Sequence, residues 1–115
     1  MLAVAATPRK LEIYVTPSGQ APFSEWLDSL KDLQGRAVVR ARLRRVQLGN
    51  FGDCRPVGGG VTELRIDFGP GYRVYFGQRG SYLILLLCGG DKRTQRGDVS
   101  RAKTYWQDYR SRHDA

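Results

Sequence analysis

The chain of 115 residues carries 19 Lys and Arg against 11 Asp and Glu, a formal net charge of +8, and 41% of its residues are hydrophobic. That length supports one domain that removes about two-thirds of its unfolded surface from water, without room for separate catalytic and binding domains. The hydrophobic share excludes a disordered basic tail, and the charge calls for an anionic partner, either nucleic acid or an acidic protein.

Two cysteines, Cys54 and Cys88, and one histidine, His113, exclude a disulfide framework, structural zinc, and Ser-His-Asp or Cys-His catalysis. No metal or cofactor is expected, so acid–base chemistry falls to Lys, Tyr, Arg or carboxylates. Both cysteines read as free thiols of a reduced compartment. The apolar stretch from Leu2 to Ala6 is short and lacks a basic leading region, and the longest apolar run, Tyr82 to Cys88, is far below membrane-spanning length. A cytoplasmic protein with no membrane partner is expected.

Leu11, Ile13 and Val15 alternate with Glu12, Tyr14 and Thr16, which predicts a half-buried strand over about 10–16. Phe23, Trp26, Leu27 and Leu30 form the stripe of a short helix running from Pro22 to near Leu33. A second helix, Arg36 to Leu48, buries Val39, Leu43 and Val46, while Arg36, Arg40 and Arg44 repeat every four residues as a basic ridge that Arg42 and Arg45 extend. Residues 49–60, with Asn50, Pro56 and the run Gly58 to Gly60, read as a loop; no Gly-Lys-Ser/Thr follows, so it is not a phosphate-binding loop. Three strands follow, Val61 to Phe68, Tyr72 to Gly77 and Ser81 to Cys88, as an antiparallel meander whose last strand is apolar on both faces and therefore central. Val99, Ala102, Trp106 and Tyr109 mark a C-terminal helix with Asp98 as its N-cap or an earlier start at Thr94. The order β-α-α-β-β-β-α gives an α+β fold with a twisted, mostly antiparallel four-stranded sheet. Residues 1–9 are expected to be a flexible extension, 10–111 the domain, and 112–115 a tail.

Strand alternation places Glu63, Arg65 and Asp67 on one face of their strand and Arg73 and Tyr75 on the same face of the next, opposite the core. Asp91-Lys92-Arg93 follows the last strand and closes one end of a small cationic cleft. Cross-strand Arg–carboxylate pairs also decorate exposed sheets without any function.

Glu63-Leu64-Arg65, Tyr72-Arg73-Val74-Tyr75-Phe76, the apolar strand ending Gly89-Gly90-Asp91-Lys92-Arg93-Thr94-Gln95, and a helix with Asp98, Arg101 and Ala102 together resemble the RelE/ParE superfamily of bacterial toxins. The pattern is closest to the HigB-like, phage-derived addiction module killer proteins and covers about residues 10–110. The resemblance implies an N-terminal helix pair on one face of the sheet and the toxin site on the concave other face. It also implies a cognate antitoxin, often a helix-turn-helix protein encoded alongside. RelE-like members are ribosome-dependent endoribonucleases (mRNA interferases) that cut mRNA without a metal, and ParE-like members inhibit DNA gyrase on the same fold, so fold alone does not choose. On this reading Arg65 and Arg73 clamp phosphate, Lys92 is a third cation or a base, Tyr75 orients RNA or shuttles a proton, and Glu63 is a base or holds Arg65. Arg36, Arg40, Arg44 and Arg93 would meet RNA or the ribosome. Relatives often carry a catalytic Tyr or His near the C-terminus; Tyr105 and Tyr109 here fall at packing positions, and His113 falls in the tail. A gyrase inhibitor and a non-catalytic binding module remain the alternatives.

Overall fold

The computed structural model describes residues 8–114. Its elements are β1 (Lys10–Ile13), α1 (Pro22–Ser29), α2 (Leu33–Gln47), β2 (Cys54–Gly58), β3 (Val61–Ile66), β4 (Tyr72–Arg79), β5 (Leu83–Asp91), a 3-10 turn (Lys92–Thr94) and α3 (Gln95–His113). The class is α+β. β2 to β5 form an antiparallel meander and β1 lies parallel to β5, giving the sheet order β1-β5-β4-β3-β2.

The sheet therefore has five strands and not four, because part of the expected loop is β2. Glycine and proline mask it in the sequence: Pro56 lacks an N–H but sits on an edge strand with a register shift, where that absence is tolerated. Gly58, Gly59 and Gly60 all take positive φ and make the tight reversal into β3.

Both faces of the sheet carry a core. Phe23 and Leu27 of α1 and Val39, Leu43 and Val46 of α2 pack on Leu64, Ile66, Val74, Phe76, Ile84 and Leu86. Ala102, Trp106 and Tyr109 of α3 pack on Val61, Tyr75, Leu85, Leu87 and Cys88 on the other face. β5 is thus an interior strand, between β1 and β4, and is covered on both sides, as its uninterrupted apolar run predicts. Cys54 and Cys88 are free thiols, and burial pushes the Cys88 thiol up to about 12.

The second core settles three expectations. Tyr14, placed by alternation on the solvent side of β1, is buried; its hydroxyl donates to Asp108 at 2.6 Å and its ring stacks on Tyr105 at 5.1 Å, while Val15 is exposed. Of the two starts expected for α3 the earlier one holds, with Thr94 at its N-cap: Asp91 opens the preceding 3-10 turn with a capping box, and Asp98 lies inside α3, where it accepts hydrogen bonds from Thr94 and Arg101. Arg112 and His113 belong to the last turn of α3, with Arg112 paired to Asp108 and the His113 ring stacked on Tyr109. At the other end, Arg9 is anchored, its backbone N–H donating to Gln47 and its guanidinium lying over Phe51; residues 1–7 of the expected extension lie outside the described residues.

A bulge couples the layers. Tyr75 opposes Cys88 and Phe76 opposes Leu86, so Leu87 is extra and the facing of β5 switches after it. Gly89 then faces Trp26 of α1 and Gly90 faces Asp98 of α3, while Gly77 of β4 lies under Trp106. A Cβ at Gly77 or Gly89 would overlap an indole ring. Glycine inside a strand ordinarily costs stability, so replacement should help; here Gly77→Ala and Gly89→Ala should each lower the unfolding free energy by about 1–3 kcal/mol through overpacking. Urea unfolding measures this, and an unchanged or raised midpoint would contradict the tryptophan packing.

Candidate anion-binding site

At the end of the sheet next to the N-terminus of α3, three strands bring arginines to one carboxylate. Register places Arg55 opposite Glu63 and Arg65 opposite Arg73. Like charges directly opposed across strands repel, and Glu63 offsets that repulsion: its Oε1 lies 3.1 Å from Arg65 Nε, 3.4 Å from Arg55 Nε and 3.9 Å from Arg73 Nε. Its Oε2 accepts from the Tyr75 hydroxyl at 3.1 Å and from Gln95 Nε2 at 2.8 Å.

Glu63 and Tyr75 are both 0% exposed. Burial alone would push the Glu63 carboxyl up, but hydrogen bonds from Gln95, Arg65 and Tyr75 and the charge of Arg55 more than offset it, holding it below the ordinary carboxylate value. Burial, and then the Glu63 charge, push the Tyr75 phenol far up. At neutral pH the pair is therefore an ionised carboxylate and a protonated phenol. Neither reaches the surface, so of the roles expected of them the structure provides positioning: Glu63 holds the arginines and Tyr75 holds Glu63.

Arg73 is 7% exposed, and its Nη1 donates to the carbonyls of Gly71 and Tyr72. Its Nε is buried with no hydrogen-bond partner, which leaves donor capacity unused where burial makes that costly. Lys92 lies beside it: the two side chains flank Gly71, whose Cβ would sit 3.3 Å from Lys92 Cγ and 3.5 Å from Arg73 Nη1. Lys92 is exposed and forms no ion pair among the described residues. Three arginines and one carboxylate leave the cluster with a surplus of two positive charges before Lys92 is counted.

Other expected members lie elsewhere. Asp67 is exposed beyond the end of β3 and makes none of the cluster's bonds. Arg93 is exposed and paired with Asp91 at 3.1 Å. Arg36 is committed to the α1–α2 corner, donating to the carbonyls of Leu30 and Asp28 that the end of α1 leaves open. Arg42, expected on the basic ridge, is buried and donates to Phe51 O. Arg40 and Arg44 are exposed, with no ion pair among the described residues.

Two members, Arg55 and Gln95, are not expected from sequence. Arg55 lies in a stretch whose glycines read as loop, and Gln95 stands in the sequence only as the end of the Gly89–Gln95 string. Both also line an open groove of about 570 Å³ with Pro56, Val57, Arg96 and Val99.

No family model matches the chain. A protein of Haemophilus influenzae, described only as uncharacterized, is 50% identical over 86 residues, which is 75% of this chain and 87% of the Haemophilus protein. The chain belongs to that protein's family. A match of this length leaves at most 29 residues of the chain outside it, so wherever it begins it spans residues 30–86. The family relationship thus extends over the strands that carry Arg55, Glu63, Arg65, Arg73 and Tyr75.

The depressed Glu63 carboxyl gives a signed pH dependence. Its stabilising effect is fully present above the ordinary carboxylate value of 4.5 and is lost as pH falls below that toward its folded value. Glu63→Gln should cost about 3–5 kcal/mol at neutral pH, as when one partner of a buried ion pair is removed, and should flatten the loss of stability below about pH 4.5. Urea unfolding at pH 7 and at pH 4 tests both; equal destabilisation at the two pH values would refute the assignment.

Proposed function

We propose that the chain is the toxin of a type II toxin–antitoxin pair of the RelE/ParE kind, HigB-like, and acts as a metal-free, ribosome-dependent mRNA endoribonuclease. The observation that carries the reading is the arginine cluster, in which three guanidinium groups share one carboxylate, one of them buried with an unpartnered Nε. Planar guanidinium groups bind phosphate in two-pronged fashion and stay charged.

In such a cleavage the ribose 2′-hydroxyl gives up its proton to solvent water as its oxygen attacks the adjacent phosphorus, the bond to the 5′-oxygen breaks, and the leaving oxygen takes up a proton from solvent, leaving a 2′,3′-cyclic phosphate. The extra negative charge of the transition state is what preorganised cations stabilise. Arg65 and Arg73 supply that stabilisation, and Lys92, exposed beside Arg73, is the third cation. Glu63 sets the arginines in place without repelling the phosphate directly, because it is buried beneath them. Arg40 and Arg44, exposed on α2, and Arg93, exposed next to Lys92, meet ribosomal RNA. The same surface suits an acidic segment of a cognate antitoxin.

A second reading, a non-catalytic nucleic-acid-binding module, is favoured by one observation: the cluster's carboxylate and phenol are both buried, so neither offers a proton acceptor to a bound strand.

Primer extension on a defined mRNA in a translating system decides between the two. Cuts that require both ribosomes and protein support the nuclease, and Lys92→Ala, which leaves the buried network intact, should reduce them on the order of 10²-fold. Growth arrest without cuts would replace the nuclease with a gyrase inhibitor. Neither cuts nor arrest would leave the binding module.

A further inference from the structure

The groove beside the arginine cluster has chemistry of its own. Pro56, Val57 and Val99 give it apolar walls, and Arg55, Gln95 and Arg96 place polar groups in it. Its volume of about 570 Å³ is within the ordinary range for small-molecule sites. Two of its lining residues are also bound to Glu63, so the groove and the arginines that would hold phosphate share a single carboxylate.

Glu63 also fixes how Gln95 is presented. An ionised carboxylate only accepts hydrogen bonds, so the Gln95 amide must turn its nitrogen toward Glu63 Oε2, which it meets at 2.8 Å. Its Oε1 is then the free acceptor, and it takes part in no hydrogen bond among the described residues. An acceptor held in this orientation selects a partner that donates.

We propose that this groove is a nucleobase subsite that selects a base carrying an exocyclic amine, with Gln95 Oε1 accepting from that amine and Arg55 or Arg96 lying against the ring. This inference rests on the reading of the cluster as an RNA phosphate site and deepens it. Adenine, cytosine and guanine carry such an amine, while uracil has none and presents an acceptor where cytosine has its amine, so uracil is disfavoured. Apolar walls and guanidinium planes suit the face of any base, so discrimination comes from Gln95. Single-stranded RNA, with its base edges open, is the substrate class that fits.

The test is fluorescence anisotropy of the full chain with short oligo-A, oligo-C and oligo-U RNAs. The wild type should bind A and C about fivefold more tightly than U, the scale of one hydrogen bond. Gln95→Leu should bring the three affinities together. Val99→Trp, which fills the groove without replacing any partner of Glu63, should do the same and decides the matter if Gln95→Leu fails to fold. Arg65→Ala should weaken all three alike. Equal wild-type affinities, or a preference that survives both groove variants, would overturn the subsite and leave the phosphate site standing. Failure of the wild type to bind any of the three would overturn both.

Discussion

The Glu63 carboxylate is the constraint around which the basic end of the sheet is arranged. Arg65 and Arg73 are directly opposed on β3 and β4, an arrangement that repels unless something negative lies between them. Glu63 supplies that charge from a position with no exposed surface, at a desolvation cost that five close partners offset. The balance is deliberately incomplete in sign: one negative charge organises three positive ones, so the cluster is held together and still attracts an anion. A second carboxylate in the cluster would pair the arginines more fully and remove that attraction.

The architecture confines this cluster to one end of the sheet. The face opposite the helix pair is expected from sequence to be an open polar surface, yet α3 covers much of it with Ala102, Trp106 and Tyr109. What stays open is the strip beyond the N-terminus of α3, where Gln95 comes down onto Glu63 and Arg96 and Val99 form a wall of the groove. The β5 bulge contributes by switching the strand's facing, so that Gly90 accepts the Asp98 side chain. Asp98 in turn accepts from Thr94, and Thr94 completes the capping box that shapes the Lys92–Thr94 turn. Thus Lys92 is placed by a chain of contacts that begins in the sheet.

Much of this was legible in the sequence where periodicity was clean. The apolar stripes of α1 and α2, the β3–β4–β5 meander and the burial of β5 on both sides follow from spacing alone. The shared face of Glu63, Arg65, Arg73 and Tyr75 follows from strand alternation. β2 did not emerge because its information lies in backbone pairing and not in side-chain pattern: Pro56 and Gly58 read as breakers until the strand is known to be an edge. Alternation points Tyr14 toward solvent because it says which residues share a face and not which face is covered. For the same reason Glu63 and Tyr75 looked like exposed functional groups, whereas their burial depends on Gln95 and α3, far along the chain.

The distribution of charge follows the same division. Along α3, Arg101, Arg110 and Arg112 are paired with Asp98, Asp114 and Asp108, and Arg79 of β4 also meets Asp114. Such pairs near the surface add little stability, but they offset three of the five Lys and Arg of α3, leaving Arg96 and Lys103 without an ion pair among the described residues. On α2 no arginine has a carboxylate partner among the described residues: Arg36 and Arg42 turn inward to backbone carbonyls, and Arg40 and Arg44 stay in solvent. The net charge of +8 is therefore not spread evenly. It is concentrated on α2 and around Glu63, and a field concentrated in that way steers an approaching polyanion toward those elements before any specific contact forms. The exposed arginines of α2 carry that field outward, while around Glu63 the buried Arg73, the half-buried Arg65 and the exposed Arg55 are held in fixed geometry by one shared carboxylate.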